Sequence, residues 1–246
     1  MACIELRGVD LEFQVGAERR DTIKSMLRST LGRRQVEART VKALKDITVT
    51  IGAGERVGLI GHNGAGKSSL LKVMAGIYPP QRGVVIREGH VCPLFEFVTG
   101  FEMEATGWEN IRTRALLLGM SPKEIDQKIG DIAKFSNLGE FLDIPVRHYS
   151  TGMFVRLAFA TSTAVDPQIL LLDEVMAAGD AAFIESARNR MNELMERASI
   201  VVFASHSLDV LPTFCDRTIL LRRGQLVSDG PTPEVVKLYM EATAAS

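Results

Sequence analysis

The sequence predicts an α/β protein in which a mostly parallel sheet is flanked by helices. Three observations carry this. Short apolar runs at residues 57–60, 169–172 and 200–204 alternate with segments of helical spacing. A glycine-rich loop at 61–66 stands between the first of these runs and a helix start. Residues 98–165 have almost no strand signal, so they are expected to form a helical lobe inserted into that core.

Each element has its own signal. Residues 4–13 alternate well enough to be a strand. From Glu18 to Lys45 there are nine Lys/Arg against three acids, and Ile23, Met26, Leu27 and Leu31 fall at helical spacing. This reads as a basic insertion over about 16–42: either a solvated helix capping the sheet or a surface for lipid or phosphate. A strand resumes at 44–51, and Gly52-Ala53-Gly54-Glu55 is a turn. The strand at 57–60 follows, then a helix at 69–75 with an apolar face. Residues 83–88 are rich in β-branched side chains and 91–97 form a second strand candidate. Residues 106–120 are helical. Ser121, Pro122 and Glu124 open another helix, with proline at its first position and an acid in its first turn. Helix 153–165, strand 169–173, helix 183–198, strand 200–204, helix 208–214 and strand 218–221 follow. A turn at 222–225 leads to strand 226–228, closing helix 233–241 and a short tail. No internal repeat or linker interrupts the chain, so it is expected to be one domain over residues 1–246.

Composition sets limits on function. The chain has 246 residues, 46% hydrophobic and 24% charged, ordinary for a globular protein with ample core. A net charge of −1 gives no global attraction to nucleic acid or membrane. The longest apolar runs are far too short to cross a bilayer, and residues 1–10 have no signal-peptide core. Cys3, Cys92 and Cys215 are odd in number and widely spaced, which predicts free thiols in a reducing cytoplasm.

The chemistry centres on Gly61-His62-Asn63-Gly64-Ala65-Gly66-Lys67-Ser68, the GxxxxGK[ST] pattern of a phosphate-binding P-loop. Gly64 and Gly66 allow the loop to wrap closely. Amides of about residues 64–69 are expected to point at one anion at the new helix's N-terminus, and Gly61, Asn63, Gly64, Ala65, Gly66, Lys67, Ser68 and Ser69 together form the expected nucleotide-binding set. Lys67 adds a charge for the β- and γ-phosphates, and the Ser68 hydroxyl is placed to ligate Mg²⁺. Ile169-Leu170-Leu171-Leu172-Asp173-Glu174 is an apolar strand ending in two carboxylates, where α/β sheets place ligands. Asp173 suits Mg²⁺ beside Ser68, and Glu174 suits polarisation of the attacking water. His206 ends a third apolar strand and is placed to sense the γ-phosphate. Ser150 with the amides of Thr151 and Gly152 opens a helix, either as an anion site or as an ordinary cap.

These motifs, in this order, resemble the ATP-binding-cassette ATPases over essentially the whole chain. The resemblance implies a P-loop NTPase (RecA-like) core with an N-terminal antiparallel β subdomain and an inserted α-helical subdomain. It implies ATP and Mg²⁺ as ligands, Glu174 as catalytic base, Asp180 in an inter-subunit loop and His206 as switch histidine. It also implies a homodimer holding two ATP molecules at its interface. Phe13 stands where the family stacks an aromatic on adenine, with strand packing as its competing role. Glu96 stands near the family's usual glutamine, where an acid suits Mg²⁺ or water, with a surface acid as the alternative.

Departures narrow the resemblance. Tyr149-Ser150-Thr151-Gly152-Met153 replaces the usual Ser-Gly-Gly-Gln context. With Thr106-Gly107-Trp108-Glu109-Asn110 and Ala178-Gly179-Asp180-Ala181-Ala182-Phe183, it resembles the ATPases of bacterial exporters of O-antigen, capsule or teichoic acid. The implied protein is a peripheral ATPase on the cytoplasmic face of the inner membrane. It would serve an integral membrane permease, act directly or indirectly on lipid-linked polysaccharide, and not bind nucleic acid. The chain ends just after its closing helix, so no appended carbohydrate-binding domain is expected. The rival readings are an exporter ATPase for another substrate, a soluble non-transport cassette ATPase, and a pure ATP-binding scaffold.

Overall fold

The structure is a computed structural model, and it describes residues 1–15, 39–95, 99–173, 181–205 and 207–244. Among these residues the strands form two sheets. The first is antiparallel, in the order β2 (Arg39–Gly52), β1 (Cys3–Val15), β4 (Arg82–Glu88). The second has six strands in the order β5 (Val91–Pro93), β6 (Ile169–Asp173), β7 (Ile200–Ala204), β3 (Arg56–Ile60), β8 (Arg217–Arg222), β9 (Gln225–Pro231). Its pairings are parallel except for the β8–β9 hairpin.

Helix α1 (Lys67–Met74) lies between the two sheets. Its Leu70, Leu71, Val73 and Met74 share one core with Ile4, Leu6 and Leu11 of β1 and with Ile169 and Leu171 of β6. The alternate residues of β6, Leu170 and Leu172, face the opposite core, built with α5 (Ala181–Arg197). Both faces of the parallel sheet are therefore covered, which is why its strands read as unbroken apolar runs. Each such fully buried Leu or Ile contributes roughly 1.5–3 kcal/mol.

Residues 99–165 form a mainly helical lobe, with α2 (Gly107–Leu117), α3 (Pro122–Ser136) and α4 (Thr151–Ser162) around a third core of Ile111, Ile132, Leu142 and Leu157. Two short 3-10 turns, Gly139–Asp143 and Val146–His148, lead into α4. Both α2 and α3 open with a complete capping box, Thr106 with Glu109 and Ser121 with Glu124. The chain closes with α6 (Leu211–Phe214) and α7 (Thr232–Ala244).

Several boundaries differ from the sequence expectation. Residues 39–42, read as the end of the basic insertion, are strand: Phe13 pairs with Val41 and Glu12 with Lys42. One of the charges counted in it, Lys42, is a cross-strand partner, with Nζ 3.0 Å from Glu12. Strand β5 stops at Pro93 and not near 97, with one further bond to β6 from Leu94 N–H to the Leu171 carbonyl at 2.8 Å; Pro93 is tolerated because β5 is an edge strand. Helix α4 begins at Thr151, two residues early, because Ser150 caps it. The helix expected over 208–214 is only the turn α6, with Pro212 in its first turn. Residues 16–38 of the basic insertion lie outside the described residues.

Candidate functional site

The P-loop follows β3, the strand flanked by β7 and β8 in the larger sheet. Parallel register puts the C-terminal ends of β3, β6 and β7 along one edge: Leu59 pairs with Ala204, and Asp173 with Ala204. Three glycines of the loop adopt positive φ: Gly61 at 148°, Gly64 at 79° and Gly66 at 113°. At Gly61 packing also matters, because a Cβ would lie 2.3 Å from the Leu221 carbonyl oxygen. Gly66 is the N-cap of α1, so the loop delivers the chain directly into the helix. Ala65 is buried in the shared core, while Asn63 and Gly64 are exposed.

Lys67 is only 6% exposed, and its ammonium donates to the Gly61 carbonyl at 2.7 Å. A buried cation is thus folded into a glycine loop at a helix N-terminus, an arrangement built for an anion. The next residue, Ser68, donates from Oγ to Asp173 Oδ2 at 2.7 Å. A hydroxyl and a carboxylate 105 residues apart, expected from sequence to share one Mg²⁺, therefore meet beside the loop. An oxygen-only pair of this kind fits Mg²⁺, which takes one or two carboxylate-type ligands and completes its shell with substrate phosphates and water. Ser69 is half-buried on α1. Ser205, buried after β7, donates its N–H to the Leu59 carbonyl and accepts from Ser207 N–H at 3.0 Å.

A brace outside the motif holds the loop. Gly224, at the tip of the β8–β9 hairpin, donates its N–H to the Ala65 carbonyl at 2.8 Å. Its own carbonyl accepts from Lys45 N–H of β2, also at 2.8 Å. A Cβ on Gly224 would meet the Ala43 carbonyl at 2.5 Å, and its φ is 79°. Sequence reading saw only a turn at this hairpin, and nothing in Arg222-Arg223-Gly224-Gln225 signals the contact with Ala65.

The start of α4 is also tied down. Ser150 Oγ accepts from Met153 N–H at 3.2 Å, so it is a working cap, with Thr151 exposed and Gly152 half-exposed beside it. Tyr149 Oη donates to the Phe141 carbonyl at 2.6 Å. A Cβ at Gly107 would lie 2.4 Å from that same Oη. Trp108 Nε1 donates to Asp143 at 3.0 Å, and Asn110, 1% exposed, donates to three carbonyls, of Glu102, Ala105 and Thr106. The Thr-Gly-Trp-Glu-Asn and Tyr-Ser-Thr-Gly-Met motifs are thus one packed unit.

Phe13 is half-buried against the shared core and meets Tyr78 edge to face, with centroids 5.3 Å apart. Lys72 of α1 lies over Tyr78 in turn. Tyr78 was absent from the sequence reading. Glu96, Glu174, Asp180 and His206 lie outside the described residues.

Known proteins agree with this geometry. Residues 44–177 match the family model described as ABC transporter. The O-antigen export system ATP-binding protein RfbE of Yersinia enterocolitica is 46% identical over 81% of this chain and 83% of that protein. The chain belongs to the ABC transporter family. Within that family it is an ATPase domain, as the sequence resemblance implied. The teichoic acids export ATP-binding protein TagH of Listeria innocua is 36% identical over 97% of this chain and 70% of that protein. Among solved structures, an ATP-binding subunit of an ABC transporter superposes with a TM-score of 0.69 at 22% identity, covering 96% of this chain and 92% of that one. A dimeric post-hydrolysis cassette bound to ADP and Pi superposes at 0.67 and 22% identity, covering 93% and 98%. These two establish the shared fold, a P-loop α/β core with an antiparallel sheet and helices.

Proposed function

We propose that this ABC ATPase hydrolyses ATP to drive export of a lipid-linked polysaccharide of the O-antigen, capsule or teichoic-acid type. One observation carries the reading: curated relatives named for export of two different envelope glycans match more than four-fifths of the chain at 36–46% identity. In this reading Lys67 exchanges the Gly61 carbonyl for the β- and γ-phosphates, and the loop amides from Gly61 to Ser69 hold the rest. Ser68 and Asp173, already in contact, hold Mg²⁺. When bound, that ion neutralises phosphate charge and keeps the phosphates in register. Glu174 orients and polarises the attacking water, and His206 contacts the γ-phosphate. Ser150, Thr151 and Gly152 serve the ATP of a second copy of the chain, with Asp180 between the two subunits. Phe13 faces the adenine and Glu96 the water around Mg²⁺, as the resemblance implies.

Among the described residues no helix is long and apolar enough to cross a membrane. In this reading an integral membrane permease carries the substrate, and the subunit works at the cytoplasmic face of the inner membrane. Its seat in this reading is a cavity of about 430 Å³ lined by Ile77, Val91, Pro93, Thr99, Leu117 and Leu118. Leu117 of α2, which lines it, is 67% exposed, and its sequence neighbour Leu116 is 52% exposed, an apolar surface suited to an amphipathic segment of that permease. Deletion of the gene is the test. Lipid-linked glycan is expected to accumulate inside the cell, inaccessible to externally added glycosidase. Undiminished glycan on the cell surface would overturn the reading.

A further inference from the structure

A second cavity, of about 720 Å³, opens between α3, α4 and α5. It contains none of the residues assigned to the nucleotide. Five cations line it, Lys128 and Lys134 from α3, Arg156 from α4, Arg190 and Arg197 from α5, against the acids Asp131, Asp166 and Glu193. Two of those acids are already matched. Asp166 lies 2.6 Å from Lys128 and 3.5 Å from Arg197, and Glu193 is 3.1 Å from Arg197.

Phe135 and Phe183 line the cavity, and Phe159 packs against both. Phe135, Phe159 and Phe183, one from each helix, have centroids 5.8 to 6.0 Å apart. Arg156 lies over the Phe183 ring at 5.4 Å and Arg190 over the Phe135 ring at 5.0 Å. Arg190 Nε also donates to the Thr163 carbonyl at 3.3 Å, which fixes its orientation. Two guanidinium groups are thus seated on adjacent rings of one cluster and border the same cavity. Guanidinium forks match phosphate oxygens in geometry, and ring contacts hold them ready at small entropic cost. The cavity's size is that of a small-molecule site.

We propose that this cavity binds an organic diphosphate, with its phosphates between Arg156 and Arg190 and its apolar portion against Phe135 and Phe183. The occupant clamps α4, whose first turn carries the Ser150 cap, to α5, which follows residue 180. Two sources share this chemistry, a soluble nucleoside diphosphate and the headgroup of a polyprenyl diphosphate lipid.

The test is isothermal titration calorimetry on the full chain carrying Lys67→Ala, which removes the P-loop charge. Inorganic pyrophosphate and ADP are the probes. Saturable binding is expected, weakened at least tenfold when Arg156→Gln and Arg190→Gln are added, the equivalent of losing about 1.4 kcal/mol. Lys134→Glu, at an exposed wall position, is expected to weaken it severalfold with the fold intact by circular dichroism. Tighter binding of ADP than of pyrophosphate assigns the nucleotide source. Capture by vesicles containing polyprenyl diphosphate, above neutral vesicles and sensitive to Lys134→Glu, assigns the lipid source. Absence of saturable binding to either probe in the millimolar range overturns the proposal. Equal affinity in the Lys67→Ala protein and both cavity variants does so as well.

Discussion

Replacing Gly107 with alanine tests whether the start of α4 is clamped as the structure shows. Gly107 is the first residue of α2, and in an ordinary helix the change stabilises by up to about 1 kcal/mol. Here the new Cβ would lie 2.4 Å from Tyr149 Oη, 2.8 Å from Leu142 Cδ2 and 3.0 Å from Leu142 Cα. Tyr149 cannot swing away freely, because its hydroxyl is bonded to the Phe141 carbonyl at 2.6 Å. Overpacking of this kind costs about 1–3 kcal/mol, and losing the tyrosine bond adds about 0.5–1.5 kcal/mol. The opposing terms leave a net destabilisation of about 1–3 kcal/mol. Thermal unfolding is the assay, with the double variant Gly107→Ala/Tyr149→Phe as control. Deleting the hydroxyl removes the shortest contact, so part of the loss is expected to return and the two changes to be non-additive. A melting temperature that rises in Gly107→Ala, or strict additivity, would refute the clamp.

Three further outcomes are expected. Glu174→Gln should keep ATP binding while turnover falls ~10²–10⁴-fold in a steady-state phosphate-release assay, and near-normal turnover would remove Glu174 as general base. Homodimers of Lys67→Ala and of Ser150→Arg should each be nearly inactive, yet mixing them should restore hydrolysis. One of the two shared sites then receives an intact Lys67 and an intact Ser150; no recovery despite proven heterodimers counts against shared sites. Burial pushes the Cys92 and Cys215 thiols up to about 12, while Cys3 is only half-buried. A thiol reagent at mildly alkaline pH should label Cys3 first and the other two only on denaturation. Rapid labelling of all three in the folded protein would contradict the packing.

The residues most legible in sequence were those whose chemistry and backbone need coincide. Gly61, Gly64 and Gly66 are glycines because the loop requires positive φ, so their spacing carried the geometry before any coordinates. Asp173 was legible because an apolar strand buried on both faces must end somewhere, and it ended in a carboxylate. The alternation of Ile169, Leu170, Leu171 and Leu172 between two cores explains why that strand stood out. Long-range contacts left no such mark. The Gly224 brace on Ala65 joins residues far apart in sequence through main-chain atoms, and any side-chain pattern is blind to it. Residues 39–42 misled because Lys42 looks the same whether solvated or paired with Glu12 across a strand. The tie between Gly107 and Tyr149 was visible only as two separate family-like motifs. Their contact depends on how α2 and α4 pack.

The position of β3 governs when the nucleotide site comes into being. Val57 pairs with Val202 on one side and Arg217 on the other, so the P-loop strand has no sheet neighbour from the first two hundred residues. During synthesis the glycine loop emerges early but has no frame until β7 and β8 are made. Closing so long a chain segment is entropically costly and slow, and its exposed apolar strand is a liability while it waits. Ligand can reward only the finished sheet, so ATP added to a refolding reaction should act on its last phase and leave the early phases unchanged.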